Sequence, residues 1–292
     1  MANKKTSFGG DWTEAKLNKL KEYLVAYTTA LKKQDFVLIY IDAFAGTGFR
    51  EVPVQESGEA ELFPEFSAND ESRPVFDGSA RIALKLDRPF DEYIFIELSR
   101  RRFSELTKIK EEFKDLSERI KLVREDCNQY LKKFCSKCNW GKCRAVLFLD
   151  PFGMQVEWST IEAIAATKAI DVWILFPIGS VNRTLKKDGW IPASWRSALT
   201  RFWGTEEWFE EFYEEFTTLM ETESCHIKKA TFEKIKRYYL ERLRSLFAGV
   251  ADNPLPLKNS KGSLLYLLCF AAANPRGAEI AVRIAQHILK KG

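Results

Sequence analysis

The chain has 292 residues, of which 46% are hydrophobic and 29% charged, a balance that is ordinary for a globular protein. Its net charge of +4 permits contact with nucleic acid without requiring it. No apolar run reaches the roughly 18 residues that span a bilayer, and residues 1–12 contain no apolar signal segment. Because the six cysteines then indicate reduced thiols, we expect a cytoplasmic protein without a membrane segment.

A helix is predicted near the start of the chain. Apolar residues recur at helical spacing through residues 11–33, and Lys16 and Lys19 lie on the opposite face. Residues 1–10 are expected to be disordered. Residues 1–35 are therefore predicted to form an N-terminal helical extension.

Five strands are predicted next, with helices between them. The strands cover residues 37–41, 92–97, 120–123, 144–150 and 171–176, and the helices cover residues 79–86, 99–113, 128–134 and 159–167. Strands that alternate with helices indicate a parallel sheet with right-handed crossovers. Residues 49–77 are polar and irregular, which is typical of a functional or flexible loop. Residues 36–178 are therefore expected to form the core of the fold.

The remaining residues differ from this core in their pattern. In residues 206–216 aromatic side chains recur every three to four positions between glutamates, which predicts an amphipathic helix. We expect residues 179–229 to form a helical insertion. A basic helix at 231–247, a hairpin of strands at 255–257 and 264–272, and a last helix at 278–290 would then complete the core within residues 230–292.

The first strand runs directly into Asp42 and a turn that contains Gly46 and Gly48. Glycines in such a turn let the backbone pass close under a cofactor, because a Cβ would collide with it. The alternative is a tight turn that binds nothing. The dinucleotide pattern G-x-G-x-x-G needs a third glycine where this chain has Glu51, and the phosphate-binding pattern G-x-x-x-x-G-K-[ST] does not occur. The sequence thus disfavours a dinucleotide and excludes a P-loop.

Two further strands lead to acids. Glu97 ends the second strand, where a carboxylate can accept hydrogen bonds from both hydroxyls of a ribose. The alternative is a solvated strand end. Asp126 follows the third strand, where it is suited either to accept from an adenine amino group or to cap the helix predicted at residue 128.

The tetrapeptide Asp150-Pro151-Phe152-Gly153 follows the fourth strand. An aromatic amine is a weak nucleophile because its lone pair is delocalised into the ring. A carboxylate and a backbone carbonyl that accept its two N–H groups hold the amine and favour its nucleophilic form, and a nearby ring can stack on the base. The alternative is an Asp-Pro turn without a ligand. The acids after the preceding strands favour the amine-binding interpretation.

Together these motifs resemble class I S-adenosylmethionine-dependent methyltransferases. Residues 150–153 resemble the D/N-P-P-Y/F box of amino-methyltransferases, although Phe152 stands one position earlier than the aromatic residue of that box. A wider set of motifs resembles the three-Cys-motif partner protein family of bacteria and phages. That set comprises W-T-x-x-K-L at 12–17, Y-I-D-A-F-A-G-T-G at 40–48, F-I-E-L at 95–98, L-F-L-D-P-F-G at 147–153 and L-L-C-F-A-A-A-N-P-R-G at 267–277.

The resemblance implies roles for individual residues. It implies cofactor contacts by Asp42, Phe44, Gly46 and Gly48, a ribose contact by Glu97, an adenine contact by Asp126, and substrate contacts by Asp150, Pro151 and Phe152. It also implies that Lys16 and Lys19 belong to a polar helix that closes over the site, and that a protein partner is encoded nearby.

Three closely spaced cysteines, Cys135, Cys138 and Cys143, suggest a zinc site at first sight. Zinc needs four ligands, and a local fourth is absent unless Cys127 or residues 225–226 fold in. Free thiols are therefore favoured, and no metal is expected. With only two histidines in the chain, a histidine-based hydrolase is disfavoured as well.

Basic residues follow the fifth strand. Arg183, Lys186 and Lys187 would attract a polyphosphate backbone there, and Trp190 or Trp195 would stack on bases. The alternative is an ordinary solvated face. This cluster favours RNA or DNA as the partner.

We therefore expect an α/β protein with a Rossmann-like class I methyltransferase fold. Its seven-stranded, mostly parallel sheet would carry helices on both faces and a helical insertion between strands 5 and 6. The expected activity is methyl transfer from S-adenosylmethionine to an exocyclic amine of a nucleobase in RNA or DNA. The alternative is a non-catalytic partner protein of the same fold that binds protein or nucleic acid. A nicotinamide-dependent enzyme is disfavoured by Glu51.

Overall fold

A central sheet organises the chain, and a computed structural model describes residues 11–48, 77–216 and 225–291. Ten strands lie in these ranges: β1 Val37–Asp42, β2 Glu92–Ile96, β3 Ile120–Val123, β4 Cys143–Leu149, β5 Ile170–Phe176, β6 Tyr213–Phe216, β7 Cys225–Lys228, β8 Gly249–Val250, β9 Leu255–Lys258 and β10 Leu264–Ala272. The expected disorder of residues 1–10 and the loop predicted at 49–77 lie outside the described residues, apart from Asp77.

Eleven α-helices and one 3-10 helix accompany the strands in the described ranges. They are α1 Asp11–Ala30, α2 Ser79–Leu84, α3 Arg100–Thr107, α4 Ile109–Glu112, the 3-10 helix Lys114–Arg119, α5 Cys127–Lys137, α6 Trp158–Ala166, α7 Ile178–Thr184, α8 Ala193–Trp203, α9 Trp208–Phe212, α10 Phe232–Leu246 and α11 Ala278–Lys290. No helix in this part of the chain is long and apolar enough to cross a bilayer.

The strand order is β3-β2-β1-β4-β5-β10-β8, with β9 also paired to β10. The pairs among β1 to β5 are parallel, and β10 is antiparallel to β5. β9 and β8 pair with successive parts of β10, on the edge that β5 leaves free, so they act as one interrupted outer strand. This arrangement confirms the predicted Rossmann-like class I methyltransferase fold, in which β9 and β10 form the predicted C-terminal hairpin. The two-residue β8 was missed because it is too short to show a pattern.

The inner strands β1, β2, β4, β5 and β10 are largely buried on both faces, which explains their nearly continuous apolar runs. On β1, Ile39 and Ile41 belong to one hydrophobic cluster and Tyr40 to the other, because alternate side chains point to opposite faces. Helices α5, α6, α7 and α10 pack on the first face, and α1, α2, α4 and α11 pack on the second. Each fully buried large side chain contributes about 1.5–3 kcal/mol to stability. The helices on both faces agree with the expectation.

Helix α1 spans the second face from one end of the sheet to the other. Near its start the Trp12 ring stacks on Tyr266, with 5.6 Å between ring centroids. Further along, the Tyr23 hydroxyl donates a 2.7 Å hydrogen bond to Asp171 at the amino-terminal end of β5. The N-terminal helix is therefore packed tightly against the core along its length.

Two helix predictions were wrong in detail. The helix predicted at 99–113 is divided at Lys108 into α3 and α4, a break that the apolar spacing does not reveal because Leu106 and Ile109 both remain buried. The helix predicted at 206–216 ends at Phe212, and residues 213–216 form β6, which pairs with β7. Here the tertiary pairing overrides a helical pattern, so the insertion contains a two-stranded ribbon as well as helices.

Asp171 predicts a pH dependence of stability. Burial raises its pKa to about 7, although the Tyr23 hydroxyl and the Arg144 charge oppose that rise. Between about pH 4 and pH 7 the unfolded chain has released this proton while the folded chain keeps it, so its contribution to stability falls as pH rises and is constant above about pH 7. We expect Asp171→Asn to raise the free energy of unfolding by about 1–3 kcal/mol near pH 8, and by less near pH 5.

Urea denaturation at the two pH values measures this effect. The exposed Asp87 supplies the matched control, and Asp87→Asn should change stability little at either pH. A variant Asp171→Asn that gains no more at the higher pH than at the lower would contradict the assignment.

Candidate functional site

The carboxyl-terminal edge of the sheet collects the acids that the sequence singled out. Asp42 is the last residue of β1, Glu97 follows β2, Asp126 follows β3 and Asp150 follows β4. These four strands are parallel neighbours, so their ends meet at one edge. Ligands of open α/β sheets bind outside this edge. The structure thus brings the predicted positions to the same side of the molecule.

Asp42 is fully buried at this edge. Its Oδ2 accepts a 2.5 Å hydrogen bond from the Ser79 hydroxyl, and its Oδ1 accepts one of 3.2 Å from the Phe44 backbone N–H. Burial raises the pKa of Asp42 to about 7, an effect that Asp150 adds to and that Lys16 opposes. A cationic group placed against Asp42 would favour the ionised carboxylate.

The two glycines of the turn after β1 differ in what surrounds them. Both have positive φ, +61° at Gly46 and +75° at Gly48, so both favour glycine. Within the described residues, a Cβ at Gly46 would meet no atom within 4 Å, whereas a Cβ at Gly48 would lie 2.6 Å from Nη1 of Arg81. Arg81 is buried and forms an ion pair with Glu112. The lack of a side chain at Gly48 therefore serves the packing of α2, while Gly46 is uncrowded by the residues that the structure describes.

Glu97 and Asp126 use one carboxylate oxygen each to fix their own loops. Glu97 Oε1 accepts hydrogen bonds from the Ser99 N–H at 2.7 Å and from Arg102 at 3.0 Å. Asp126 Oδ1 accepts from two backbone N–H groups in the first turn of α5, at 3.0 and 3.1 Å. Asp126 is therefore the N-cap that the sequence offered as one alternative, and its second oxygen takes no part in that cap.

Asp150 is engaged by an amine of the protein itself. The buried Lys16 ammonium donates a hydrogen bond to Asp150 Oδ2 and lies 5.1 Å from the centroid of the Trp12 ring. The second lysine expected near the site points elsewhere, because Lys19 donates to the backbone carbonyl of Lys291 at the carboxyl-terminal end of α11. Of the two lysines, only Lys16 contacts a candidate site residue.

The turn after β4 separates a buried proline from an exposed ring. Pro151 is buried beside an apolar crevice that Trp158 and Tyr239 also line. Phe152 is 45% exposed, and its backbone N–H donates a 2.8 Å hydrogen bond to the side chain of Gln155. The turn is therefore anchored on one side and presents an aromatic face to solvent on the other.

A buried asparagine connects this turn to α5. Asn128 Nδ2 donates to the Gln155 carbonyl at 2.9 Å, and Asn128 Oδ1 accepts from the Glu157 N–H at 2.9 Å and from the Thr160 hydroxyl at 2.8 Å. Because Asp126 caps the same helix two residues earlier, the ends of β3 and β4 are linked through α5. Asn128 is thus a positioning residue for the turn that carries Phe152.

Several site residues were missed from the sequence. Ser79 contacts Asp42 across 37 residues, and nothing in its local pattern marks it. Asn128 stands two positions after Asp126, as a polar residue on the otherwise apolar inner face of a helix, and that signal could have found it. Tyr40 precedes Asp42 by two, so it shares its face of the sheet.

The residues present fit a bound group with hydroxyl and cationic parts. The Tyr40 hydroxyl is buried without a hydrogen-bond partner in the described residues. Burial raises the pKa of Tyr40 well above its usual value, and the nearby charges of Asp42 and Asp150 raise it further. Among the described residues, a buried donor without an acceptor, the uncrowded Gly46 and two carboxylates on one edge are features expected of a site for a polar ligand.

The cysteine cluster lies at the opposite edge of the sheet. Cys135 lies in the last turn of α5 and Cys143 begins β4. Burial raises the pKa of Cys135, and of Cys138, to about 12, which keeps both as thiols at neutral pH. Among the described residues, no group of three or more His, Cys, Asp or Glu is placed to hold a metal ion.

The role of Asn128 can be tested through stability. Asn128→Ala would leave the Gln155 carbonyl and the Glu157 N–H without their partners, so we expect a loss of about 1–3 kcal/mol in the free energy of unfolding. Hydrogen exchange at the Phe152 amide should also quicken. The matched control is Gln129→Ala, an exposed neighbour on the same helix. Equal losses in the two variants would show that Asn128 does not hold the turn.

No protein-family model and no curated protein matches the chain. Among solved structures, protein LPL1258 from Legionella pneumophila, assigned to the family DUF519, is 14% identical, with 81% of this chain and 93% of that chain covered and a TM-score of 0.42. The N-terminal domain of EvdMO1, crystallised in the presence of SAH and D-fucose, is 7% identical over 87% of this chain and 82% of that chain, with a TM-score of 0.39. The methyltransferase domain of bacterial CtHen1-C is 12% identical over 88% of this chain and 98% of that chain, with a TM-score of 0.36. At such low scores the fold assignment rests on the strand order of this chain.

Proposed function

We propose that this protein is an S-adenosylmethionine-dependent methyltransferase that acts on an exocyclic amine of a nucleobase in RNA or DNA. The observation that carries the proposal is the convergence of four carboxylates at the carboxyl-terminal edge of four neighbouring parallel strands, those of Asp42, Glu97, Asp126 and Asp150. A carboxylate after β4 that already accepts from an N–H group is suited to hold a substrate amine. The strand order of the fold supports the same conclusion.

The cofactor would lie across the ends of β1, β2 and β3. Phe44, Gly46 and Gly48 belong to the turn it would follow, and Gly46 offers the open side. The buried Asp42 would balance positive charge on the methionine part, while Glu97 would accept hydrogen bonds from ribose hydroxyls and Asp126 from the adenine amino group. When bound, S-adenosylmethionine supplies an electrophilic methyl group on a sulfonium.

The substrate amine would be held after β4. Asp150 and the Pro151 carbonyl would accept its two N–H groups, which orients the nitrogen lone pair away from them. Phe152, exposed at 45%, offers a ring face against which a base can stack. Such a site works by positioning and by exclusion of water, effects that together can supply about 7–11 kcal/mol of the barrier.

Lys16 would have to release Asp150 before a substrate amine could bind it. The lysine is on the second turn of α1, one turn after Trp12, so a small movement of these first two turns would free the carboxylate. This contact also supports the expectation that the N-terminal helix closes over the site. In the absence of substrate, Lys16 keeps a counter-charge beside Asp42 and Asp150.

The finer assignment to the three-Cys-motif partner protein family is part of the proposal. Its support lies in the contacts of the shared motifs: Trp12 and Lys16 meet Tyr266 and Asp150, and the segment 274–277 leads into α11. A protein partner encoded nearby and a bacterial or phage origin follow from the same resemblance.

A second candidate function is a non-catalytic partner protein that binds protein or nucleic acid. The ion pair between Lys16 and Asp150 favours this alternative, because it leaves the acid occupied. Binding of S-adenosylmethionine and methyl transfer separate the two functions.

Cofactor binding is expected to depend on Glu97. Titration calorimetry with S-adenosylmethionine should show Glu97→Ala binding about 10–100-fold more weakly, because hydrogen bonds to a charged acceptor contribute about 1.5–3 kcal/mol. The matched control is Glu92→Ala, an exposed glutamate at the other end of the same strand, which should bind as the wild type does. The cofactor assignment is wrong if Glu97→Ala and Glu92→Ala bind with equal affinity.

Methyl transfer is expected to depend on Asp150. Transfer of labelled methyl to total bacterial RNA and to DNA should fall at least about 100-fold in Asp150→Asn, because the amine loses its charged acceptor. Cofactor affinity should change little. The control is Asp252→Asn, an exposed aspartate on the outer edge of the sheet. Wild-type protein that binds S-adenosylmethionine and methylates neither RNA nor DNA would rule out the proposed substrate class.

A further inference from the structure

A large aromatic ring is presented to solvent by the loop between α7 and α8, residues 185–190, here called the Trp190 loop. Trp190 is 71% exposed, although a tryptophan can bury about 150–250 Å². The adjacent Lys186 and Lys187 are exposed as well, and Arg183 is exposed on the last turn of α7. An exposed indole beside three cations combines a surface for stacking with an attraction for phosphates.

The β6–β7 ribbon holds the Trp190 loop by its backbone. The Tyr213 hydroxyl donates to the Lys186 carbonyl at 2.8 Å, and the Lys228 N–H donates to the Lys187 carbonyl at 3.0 Å. The Lys228 ammonium donates inward to the Leu185 carbonyl at 3.1 Å and to the Asn182 carbonyl at 2.8 Å. Lys228 is therefore a brace for the loop and not part of its outer surface.

The turn that carries Trp190 is fixed by two further contacts. The Trp190 backbone N–H donates a 3.1 Å hydrogen bond to Asp188 Oδ1. Gly189 has a φ of +75° and approaches β7 so closely that a Cβ there would lie 2.6 Å from Cβ of His226. The ring is thus held on a preorganised loop, which reduces the entropy lost when a ligand binds.

Helix α7 connects the loop to the edge of the sheet that carries the proposed amine site. Helix α7 begins at Ile178, just after β5 ends, and its seven residues span about 10 Å. Two other exposed apolar side chains follow strands at the same edge, Leu98 at 63% and Phe152 at 45%. A strand of nucleic acid with one base at Phe152 would reach Trp190 by following α7.

The charges around Trp190 are not uniform. The Lys186 ammonium lies 4.9 Å from the centroid of the Trp195 ring, on the α8 side of the loop. Glu214 and Glu215 are exposed on β6, on the ribbon side. Phosphates are therefore attracted to the α7–α8 side and repelled from the ribbon, which gives a bound strand a preferred course.

We propose that the Trp190 loop binds unpaired bases of a single-stranded nucleic acid, next to the nucleotide whose amine reaches Asp150. The inference rests on the proposed function, because it places the target base at the end of β4. Trp190 stacks on a base, and Lys186, Lys187 and Arg183 neutralise adjacent phosphates. A continuous duplex hides its base faces, so the loop selects single strands, loops or bulges.

Binding of a fluorescein-labelled, mixed-sequence single-stranded RNA, followed by fluorescence anisotropy, tests the proposal. The same sequence as DNA and as an RNA duplex completes the set of probes. We expect the wild type to prefer the single strands, Trp190→Ala to bind them about tenfold more weakly, and Trp190→Phe to recover most of that loss. Lys187→Ala should lower the slope of log affinity against log salt by about 0.7. The matched controls are Ile280→Ala, another exposed apolar residue, and Lys33→Ala, an exposed lysine at the opposite edge of the sheet.

Several results would overturn the proposal. They are tighter binding of the duplex, no binding of any probe by the wild type, and equal single-strand binding by Trp190→Ala and Ile280→Ala. Self-association that is lost in Trp190→Ala, with nucleic-acid binding unchanged, would assign the loop to a protein interface instead.

Calorimetry with S-adenosylmethionine on the same variants distinguishes this proposal from the proposed function. Trp190→Ala should keep wild-type cofactor affinity. The wild type is expected to bind the cofactor and to methylate nucleic acid. If Trp190→Ala leaves the methylation rate unchanged, the loop proposal is wrong and the methyltransferase proposal stands. If single-strand binding depends on Trp190 but the protein does not bind the cofactor, the loop proposal stands and the methyltransferase proposal is wrong.

Discussion

Desolvation of carboxylates at the end of a parallel sheet is the constraint on which the site depends. Asp42 is buried with a pKa raised to about 7 by that burial, and a buried charge without partners is strongly unfavourable. The Ser79 hydroxyl, the Phe44 N–H and the nearby Lys16 ammonium offset this cost from three different elements. The glycine turn, α2 and α1 are therefore fixed around one carboxylate, and the geometry of the site follows from that requirement.

Helix α1 connects the two ends of the sheet. Lys16 contacts Asp150 at the carboxyl-terminal edge, and Tyr23, seven residues later, contacts Asp171 at the opposite edge. Asp150 follows β4 and Asp171 belongs to the neighbouring strand β5, so α1 contacts the end of one strand and the start of the next. A ligand that displaced Lys16 would act on a helix that is held elsewhere by a buried hydrogen bond, and the displacement would stay confined to its first turns. The β6–β7 ribbon plays a similar supporting part for the loop after α7.

Much of the fold could be predicted from the sequence because the inner strands of the core are buried apolar runs, and β1, β2 and β4 end at or just before an acid. Asp42, Glu97 and Asp150 were found in this way, since their position at a strand end is a local property. The contact of Lys16 with Asp150 joins residues 134 positions apart, and nothing local encodes it. Residues 213–216 misled the prediction because their helical spacing is real, whereas their pairing with β7 depends on a partner beyond the pattern. The roles of Gly46 and Gly48 look identical in the sequence, and only the position of Arg81 separates them.

The interruption between β8 and β9 has a consequence for the behaviour of the protein in concentrated solution. A long exposed edge strand offers free N–H and C=O groups to the edges of other molecules, and this leads to aggregation. Here the outer strand is broken between Val250 and Leu255, and Pro256 within β9 has no N–H to offer. At the other edge, β3 is only four residues long and exposes Lys121. Both borders of the sheet are thus poor templates for strand addition. The protein is therefore less prone to edge-to-edge aggregation, although its inner strands are almost uninterrupted apolar runs.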